Sequence, residues 1–253
     1  MIRTDILNMN KLKILSESFK SLSGTHHYCS ILSADVAPLA SSALFSMYYS
    51  LMPPHRREKI DRLRIESGKR LSLGAGVLLR HALASRGIEY SSVRVETTSL
   101  EKPYLPDYPN LHFSLSHSGS RVLCVTSDIP CGCDVEELGR GAKNLVTRFY
   151  SPEEQSYCLP TSVNTDDDDF QRFYSPEEQS CCLSGTADTN DDFQYRFTRV
   201  WTRKESYLKA TGEGFSRSPE SFSVFSLPPS VHFHEYTSFP GYHISICLLS
   251  VSN

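Results

Sequence analysis

The chain has 253 residues, 39% of them hydrophobic and 22% charged, and 26 Lys and Arg against 29 Asp and Glu leave a net charge of −3. That length supports one large domain or two small ones with a real core, and the slight negative charge argues against nucleic acid as the main partner. No apolar run is long enough to cross a bilayer and the stretch from Met1 to Ile6 lacks a signal-peptide core, so a cytoplasmic soluble monomer with no membrane partner is expected.

In chain order, the first expected elements are a strand near Tyr28 to Val36, a helix around Pro53 to Arg64, and a longer helix from about Ser67 to Arg86 closed by Gly87. Leu71, Leu73, Val77, Leu78, Leu79 and Leu83 mostly recur at three- and four-residue spacing, which makes one face of that helix core and puts Arg56, Lys59 and Arg70 on the polar side. Leu111, Phe113 and Leu115 alternate with polar residues, and Val122 to Thr126 follows after His117-Ser118-Gly119-Ser120, which predicts a hairpin. Asp134 and Glu136 stand two apart in an apolar run that reads as a strand, so they leave the same face. Ser151-Pro152-Glu153-Glu154 reads as a helix start, with serine as cap, proline at the first position and acids in the first turn. Trp201, Glu205 and Lys209 share a helical stripe at i, i+4 spacing. Alternation through Phe222 and Val224, Val231 and Phe233, then Ile244, Ile246 and Leu248 predicts strands that close the chain. This pattern of elements gives an α+β fold class.

Eight cysteines, at 29, 124, 131, 133, 158, 181, 182 and 247, show no paired C-x-x-C spacing and read as reduced core thiols. The segment from Arg148 to Ser156 recurs as Arg172 to Ser180, and Asp168-Asp169-Phe170-Gln171 recurs as Asp191-Asp192-Phe193-Gln194. Two copies are too few for a stacked array, so the repeat (148–171, 172–194) reads as a segment added by tandem duplication. The acidic joins at 164–169 and 189–192 lack the glycine and terminal glutamate of a calcium loop and read as linkers or helix caps.

Asp134, Glu136 and Glu205 offer three carboxylates on regular elements, hard oxygen ligands of the kind Mg²⁺ takes together with phosphate oxygens. Spacing alone leaves another reading open, in which the strand acids are solvated and Glu205 and Lys209 form an ordinary surface pair. Trp201, with Phe197 and Leu208 near it, reads as core packing.

Six ordered blocks carry a resemblance. Glu101 to Tyr104, Phe113 to Gly119, Gly132-Cys133-Asp134-Val135-Glu136, Arg148 to Glu154, Trp201 to Gly212 and Ser218 to Phe222 are similar to the motifs of the Sfp-type 4'-phosphopantetheinyl transferases, with weaker similarity upstream through 54–59 and 69–74. The resemblance implies two similar α+β halves in a pseudo-twofold arrangement, 1–130 with basic residues for coenzyme A and 131–253 with the metal site and the duplicated segment. It implies Mg²⁺-dependent transfer of 4'-phosphopantetheine from coenzyme A to a serine of an apo acyl, peptidyl or aryl carrier protein, with release of adenosine 3',5'-bisphosphate. It places Arg56, Lys59, Arg70, Lys102, Ser116, His117, Lys204 and Lys209 near coenzyme A, and Asp134, Glu136 and Glu205 on the metal. It also implies an acid in the Ser-Pro-Glu-Glu element as the base for the serine. Glu154 lies 20 residues beyond Asp134, as the resemblance leads one to expect, against 44 for Glu178; counted back from Trp201, Glu178 at 23 fits better than Glu154 at 47. Glu154 is taken as the base and Lys209 as the countercharge for the leaving phosphate. Three other functions fit the same residues: a coenzyme A-binding protein impaired by the duplication, a coenzyme A pyrophosphohydrolase, and an interaction protein that docks through the repeat.

Overall fold

A computed structural model describes residues 5–9, 12–19, 27–159, 189–237 and 239–250. Residues 160–188, which include the 164–169 join, most of the second copy of the repeat, Cys181 and Cys182, lie outside the described residues.

The first half is a five-stranded antiparallel sheet in the order β1-β2-β3-β7-β6. Its strands are β1 (Asp5–Met9), β2 (Leu12–Phe19), β3 (Cys29–Asp35), β6 (His112–Ser118) and β7 (Arg121–Ser127), while β4 (Glu96–Thr97) and β5 (Pro103–Tyr104) form a separate short ladder. The expected hairpin is β6 and β7, paired from His112 opposite Ser127 to Ser118 opposite Arg121. Gly119 at its tip has φ +57, and an added Cβ would run into the Tyr242 hydroxyl oxygen, so the turn favours glycine. Helices α1 (Ser42–Ser50), α2 (Pro54–Asp61) and α3 (Glu66–Ala84) pack around one face of the sheet. Leu73, Val77, Leu78, Leu79 and Leu83 of α3 join Leu32 and Ala34 of β3 in the first core, as the spacing predicts.

The second half is an antiparallel sheet in the order β8-β10-β9, from β8 (Cys131–Glu137), β9 (Val231–Tyr236) and β10 (Tyr242–Leu249). Two short helices, α4 (Lys143–Phe149) and α5 (Pro152–Cys158), and the 22-residue α6 (Asn190–Thr211) pack with it. Each half is thus a long helix laid on an antiparallel sheet, an α+β fold. Ser151 with Glu154 opens α5, as expected, and of the two readings of 189–192 the helix cap holds, Thr189 with Asp192 opening α6; each is a reciprocal capping box.

The halves share a core. Cys29 and Ile31 of β3 and Leu123 and Val125 of β7 meet Cys131, Cys133 and Val135 of β8 and Ile244 and Ile246 of β10. Every strand of this group spends one face on its own half and one on the other, which is why β3 is buried along nearly its whole length. Six cysteines (29, 124, 131, 133, 158 and 247) are free and buried, and burial raises their thiols.

Helix α1 was not legible in the sequence, and two expectations are corrected. Arg56, placed on the polar side of its helix, is 7% exposed and its Nε donates to the Tyr90 hydroxyl at 3.2 Å. Phe222 and Val224 stand in the loop that follows the 3-10 turn Pro219–Ser221, not in a strand. Their main-chain groups bind side chains: the Phe222 carbonyl accepts from Lys204 and the Val224 amide donates to Glu154, which leaves no ladder to join.

Candidate active site

The edge strand β6 of the first sheet runs beside the edge strand β8 of the second, and three serines at alternate positions hold them together. Ser114 Oγ accepts from the Cys133 amide at 3.0 Å. Ser116 Oγ donates to Asp134 Oδ1 at 2.7 Å. Ser118 Oγ donates to Glu136 Oε2 at 2.6 Å and accepts from the Glu137 amide at 3.2 Å. All three serines are buried, so each hydroxyl satisfies a polar group that would otherwise be costly to enclose. Ser114 and Ser118 were not singled out from the sequence; their i, i+2, i+4 spacing with Ser116 was the available signal.

The alternation of β8 sends Cys131, Cys133 and Val135 into the shared core and leaves Asp134 and Glu136 on the face that α6 crosses. Lys209 of α6 reaches Asp134 Oδ1 at 2.6 Å and Ser116 Oγ at 3.2 Å. Glu205 stands one turn earlier on the same helix stripe. Desolvation raises the Glu205 carboxyl, and the charges of Asp134 and Glu136 raise it further against the lowering pull of Lys209. Glu136 is likewise raised by burial first, with Asp134 adding to it and the Ser118 hydrogen bond opposing. These mutual effects mean that the three acids share one region. Burial disfavours the Lys209 ammonium, but Asp134, Cys133 and Glu205 outweigh it and hold its pKa above the usual lysine value.

The described residues contain no group of three or more His, Cys, Asp or Glu already at ligand geometry. The donor set nevertheless fits a hard divalent cation in one respect: Asp134 Oδ2 is buried with no hydrogen-bond partner, a charged lone pair that needs a cation or a water.

On the basic side, exposed Lys59 of α2 and exposed His117 of β6 converge with Lys209. The His117 imidazole is lowered by desolvation first, then by the charges of Lys209 and Lys59, with Asp134 pulling the other way. Two helices and a strand from both halves therefore set cations beside the carboxylates. Arg70 is half-buried on α3.

Three expected site residues are placed elsewhere. Lys102 gives its ammonium to the Ala210 carbonyl at 2.6 Å, at the C-terminus of α6, where a cation suits both the free carbonyl and the helix dipole. Glu154, read as the base, is 0% exposed: its Oε2 accepts from the Ser151 amide at 2.8 Å and pairs with Lys204 at 2.7 Å, and its Oε1 accepts from the Val224 amide at 2.8 Å. Lys204 is 1% exposed and also donates to the Pro219 and Phe222 carbonyls, each at 2.7 Å. So placed, Glu154 has no atom with which to reach a hydroxyl on another protein, and the Lys204 ammonium is enclosed away from any phosphate. Burial raises the Glu154 carboxyl and lowers the Lys204 ammonium, each partly offset by the partner's charge. Trp201 packs between Phe149 and Phe197, with ring centroids 5.9 and 6.3 Å away, as core.

Comparison with known proteins finds a match in each half. Residues 38–129 match the model described as "4'-phosphopantetheinyl transferase, N-terminal", and residues 160–247 match that of the "4'-phosphopantetheinyl transferase superfamily". The strand of Asp134 and Glu136 falls between the two matches. The 4'-phosphopantetheinyl transferase Sfp of Bacillus subtilis is 29% identical over 79% of this chain and 83% of its own. The 4'-phosphopantetheinyl transferase HetI of Nostoc sp. is 31% identical over 73% and 64%. The L-aminoadipate-semialdehyde dehydrogenase-phosphopantetheinyl transferase of Mus musculus is 23% identical over 70% and 53%. With one model in each half and relatives of a single activity, the chain belongs to the Sfp-type 4'-phosphopantetheinyl transferase superfamily.

Proposed function

We propose that this transferase takes the 4'-phosphopantetheine of coenzyme A where β6 and β8 meet beside α6 and passes it to a serine of an apo acyl, peptidyl or aryl carrier protein, releasing adenosine 3',5'-bisphosphate. The observation that carries the reading is the buried, half-satisfied Asp134 carboxylate beside Glu136, Glu205 and Lys209. Mg²⁺ bound by Asp134, Glu136 and Glu205 would supply positive charge to the pyrophosphate. Lys209 adds a fixed cation next to Asp134, so charge on the departing phosphate meets a group already oriented by Ser116. Lys59 and His117 serve the phosphates of coenzyme A from the first half, with Arg70 as a further cation on α3. Because phosphoryl transfer is mostly positioning and charge neutralisation, this set of groups is what the reaction asks of the protein. Glu154 and Lys204 enter as the pair that fixes α5 and the 219–224 loop to α6, and Lys102 as a cap on the end of α6.

The test is intact-protein mass spectrometry of several apo carrier proteins after incubation with the protein, coenzyme A and Mg²⁺, with an EDTA control. A metal-dependent gain of one phosphopantetheine is expected. Coenzyme A binding without gain on any carrier would overturn the reading, and released 4'-phosphopantetheine would then identify a hydrolase.

A further inference from the structure

The four groups assigned to the reaction sit on two elements, β8 with Asp134 and Glu136 and α6 with Glu205 and Lys209, and the distance between those elements is set at one point. An added Cβ on Gly132 would lie 2.9 Å from the Lys209 carbonyl carbon and nearer still to the Ser206 carbonyl oxygen and the Ala210 amide nitrogen. All three are main-chain atoms, so no side-chain rotation relieves the overlap. The helix face laid on the sheet is small or short throughout, with Thr202, Ser206 and Ala210 at four-residue steps and all buried. Ser206 Oγ meets Ser245 Oγ of β10 at 3.1 Å, and Ser245 stands opposite Asp134 in the ladder.

We propose that Gly132 is a positioning residue for the transfer reaction: by lacking a side chain it lets the backbone of α6 rest on β8, which brings Glu205 and Lys209 to the Asp134 and Glu136 carboxylates. The inference rests on the metal reading above. Substituting Gly132 with alanine requires α6 to move by about 1.5 Å to restore ordinary contact, and a misplacement of about 1 Å already costs a reaction governed by geometry about 10²-fold. The Lys102 bond to the Ala210 carbonyl ties down the same end of the helix, so the displacement is not free to dissipate at the helix C-terminus.

The experiment compares wild type, Gly132→Ala, Ser245→Val and Gly74→Ala by thermal melt, by calorimetric titration of Mg²⁺ in the presence of coenzyme A, and by carrier modification at varied Mg²⁺. Ser245→Val is the milder wedge under α6, for use if Gly132→Ala fails to fold. Gly74→Ala is the control, because its Cβ meets the side chains of Val36 and Val122 in the other half. Gly132→Ala is expected to weaken Mg²⁺ binding at least tenfold and lower kcat about 10²-fold, Ser245→Val to move both the same way by less, and Gly74→Ala to lower the melting temperature with Mg²⁺ binding unchanged. Unchanged Mg²⁺ binding in a folded Gly132→Ala or Ser245→Val protein overturns the proposal, as does an equal shift in Gly74→Ala. If the wild type binds Mg²⁺ but modifies no carrier, the transferase reading fails and the titration still judges the spacer. A wild type that binds no Mg²⁺ overturns both.

Discussion

Replacing Lys204 by methionine should unfold this enzyme far more readily than it alters its chemistry. The ammonium holds three acceptors in a fully enclosed site, Glu154 Oε2 and the Pro219 and Phe222 carbonyls, each at 2.7 Å. Methionine has similar length and no donor, so one carboxylate loses its countercharge and two buried carbonyls lose their partner. Removing one side of a buried pair costs about 3–5 kcal/mol. Glu154→Gln keeps the shape and an oxygen for the Val224 amide, but it sets an amide NH2 against the Ser151 amide and leaves the Lys204 ammonium without its countercharge, so its expected cost is of the same order, about 3–5 kcal/mol. The double variant no longer encloses an unpaired charge, so it should be more stable than the sum of the singles by about 1–3 kcal/mol. Urea unfolding of all four proteins at pH 7 reads these differences, and carrier modification per folded molecule reads the chemistry. The folded Glu154→Gln protein should keep kcat within a few-fold of wild type. A stable Glu154→Gln protein with kcat down by about 10²–10⁴, the usual contribution of a general base, would refute the reasoning and make Glu154 the base, through a rearrangement that exposes it.

Ser118→Ala should weaken Mg²⁺ binding about 10–100-fold with little change in coenzyme A binding, since it removes the hydroxyl that orients Glu136; calorimetric titration checks this. Asp134→Asn should abolish the EDTA sensitivity of whatever residual transfer remains, measured by mass spectrometry with and without chelator. Burial alone would raise the Glu235 carboxyl, but the His243 imidazole 3.4 Å away and the charges of Arg203 and Arg199 hold it far below the usual range. Its stabilising contribution is therefore complete above the unfolded carboxyl pKa of about 4.3 and is lost as the pH falls from there toward the depressed native value. The stability difference between wild type and Glu235→Gln should accordingly shrink from pH 5 downward in urea midpoints, and a constant difference would contradict it.

The parts of this fold legible in the sequence are those set by neighbours along the chain. The two-residue period of β8 put Asp134 and Glu136 on one face, the Ser-Pro-Glu-Glu start gave the α5 cap, and the leucine spacing of α3 marked its buried side. Helix α1 gave no such signal, because its sequence, SALFSMYYS, has no clean apolar stripe and only Tyr48 is fully buried. The illegible roles belong to side chains whose partners lie far away in sequence. Arg56 is buried through Tyr90, Lys102 through Ala210, and the serines of β6 acquire their function only where two sheet edges meet. No local pattern encodes which cation will find a carboxylate in another element.

Lys204 and Glu205 show the physical reason most sharply. They are adjacent and oppositely charged, and as a dipeptide they invite a single role at the phosphate site. A helix turns about 100° per residue, so they leave α6 in different directions. Lys204 points at the 219–222 loop and α5, where Glu154 and two carbonyls enclose it, while Glu205 and, one turn on, Lys209 point across β8 to the acids. The helix thus places one cation in an enclosed structural pair and another beside the acids proposed to serve the reaction. That division follows from the helical period once Gly132 has fixed which face of α6 rests on the sheet. The same contact therefore governs both roles: a wedge at Gly132 that moves Glu205 and Lys209 away from the acids also pulls on the Lys204 anchor. For that reason the Mg²⁺ titration, and not the melting temperature alone, is the measurement that separates positioning from stability.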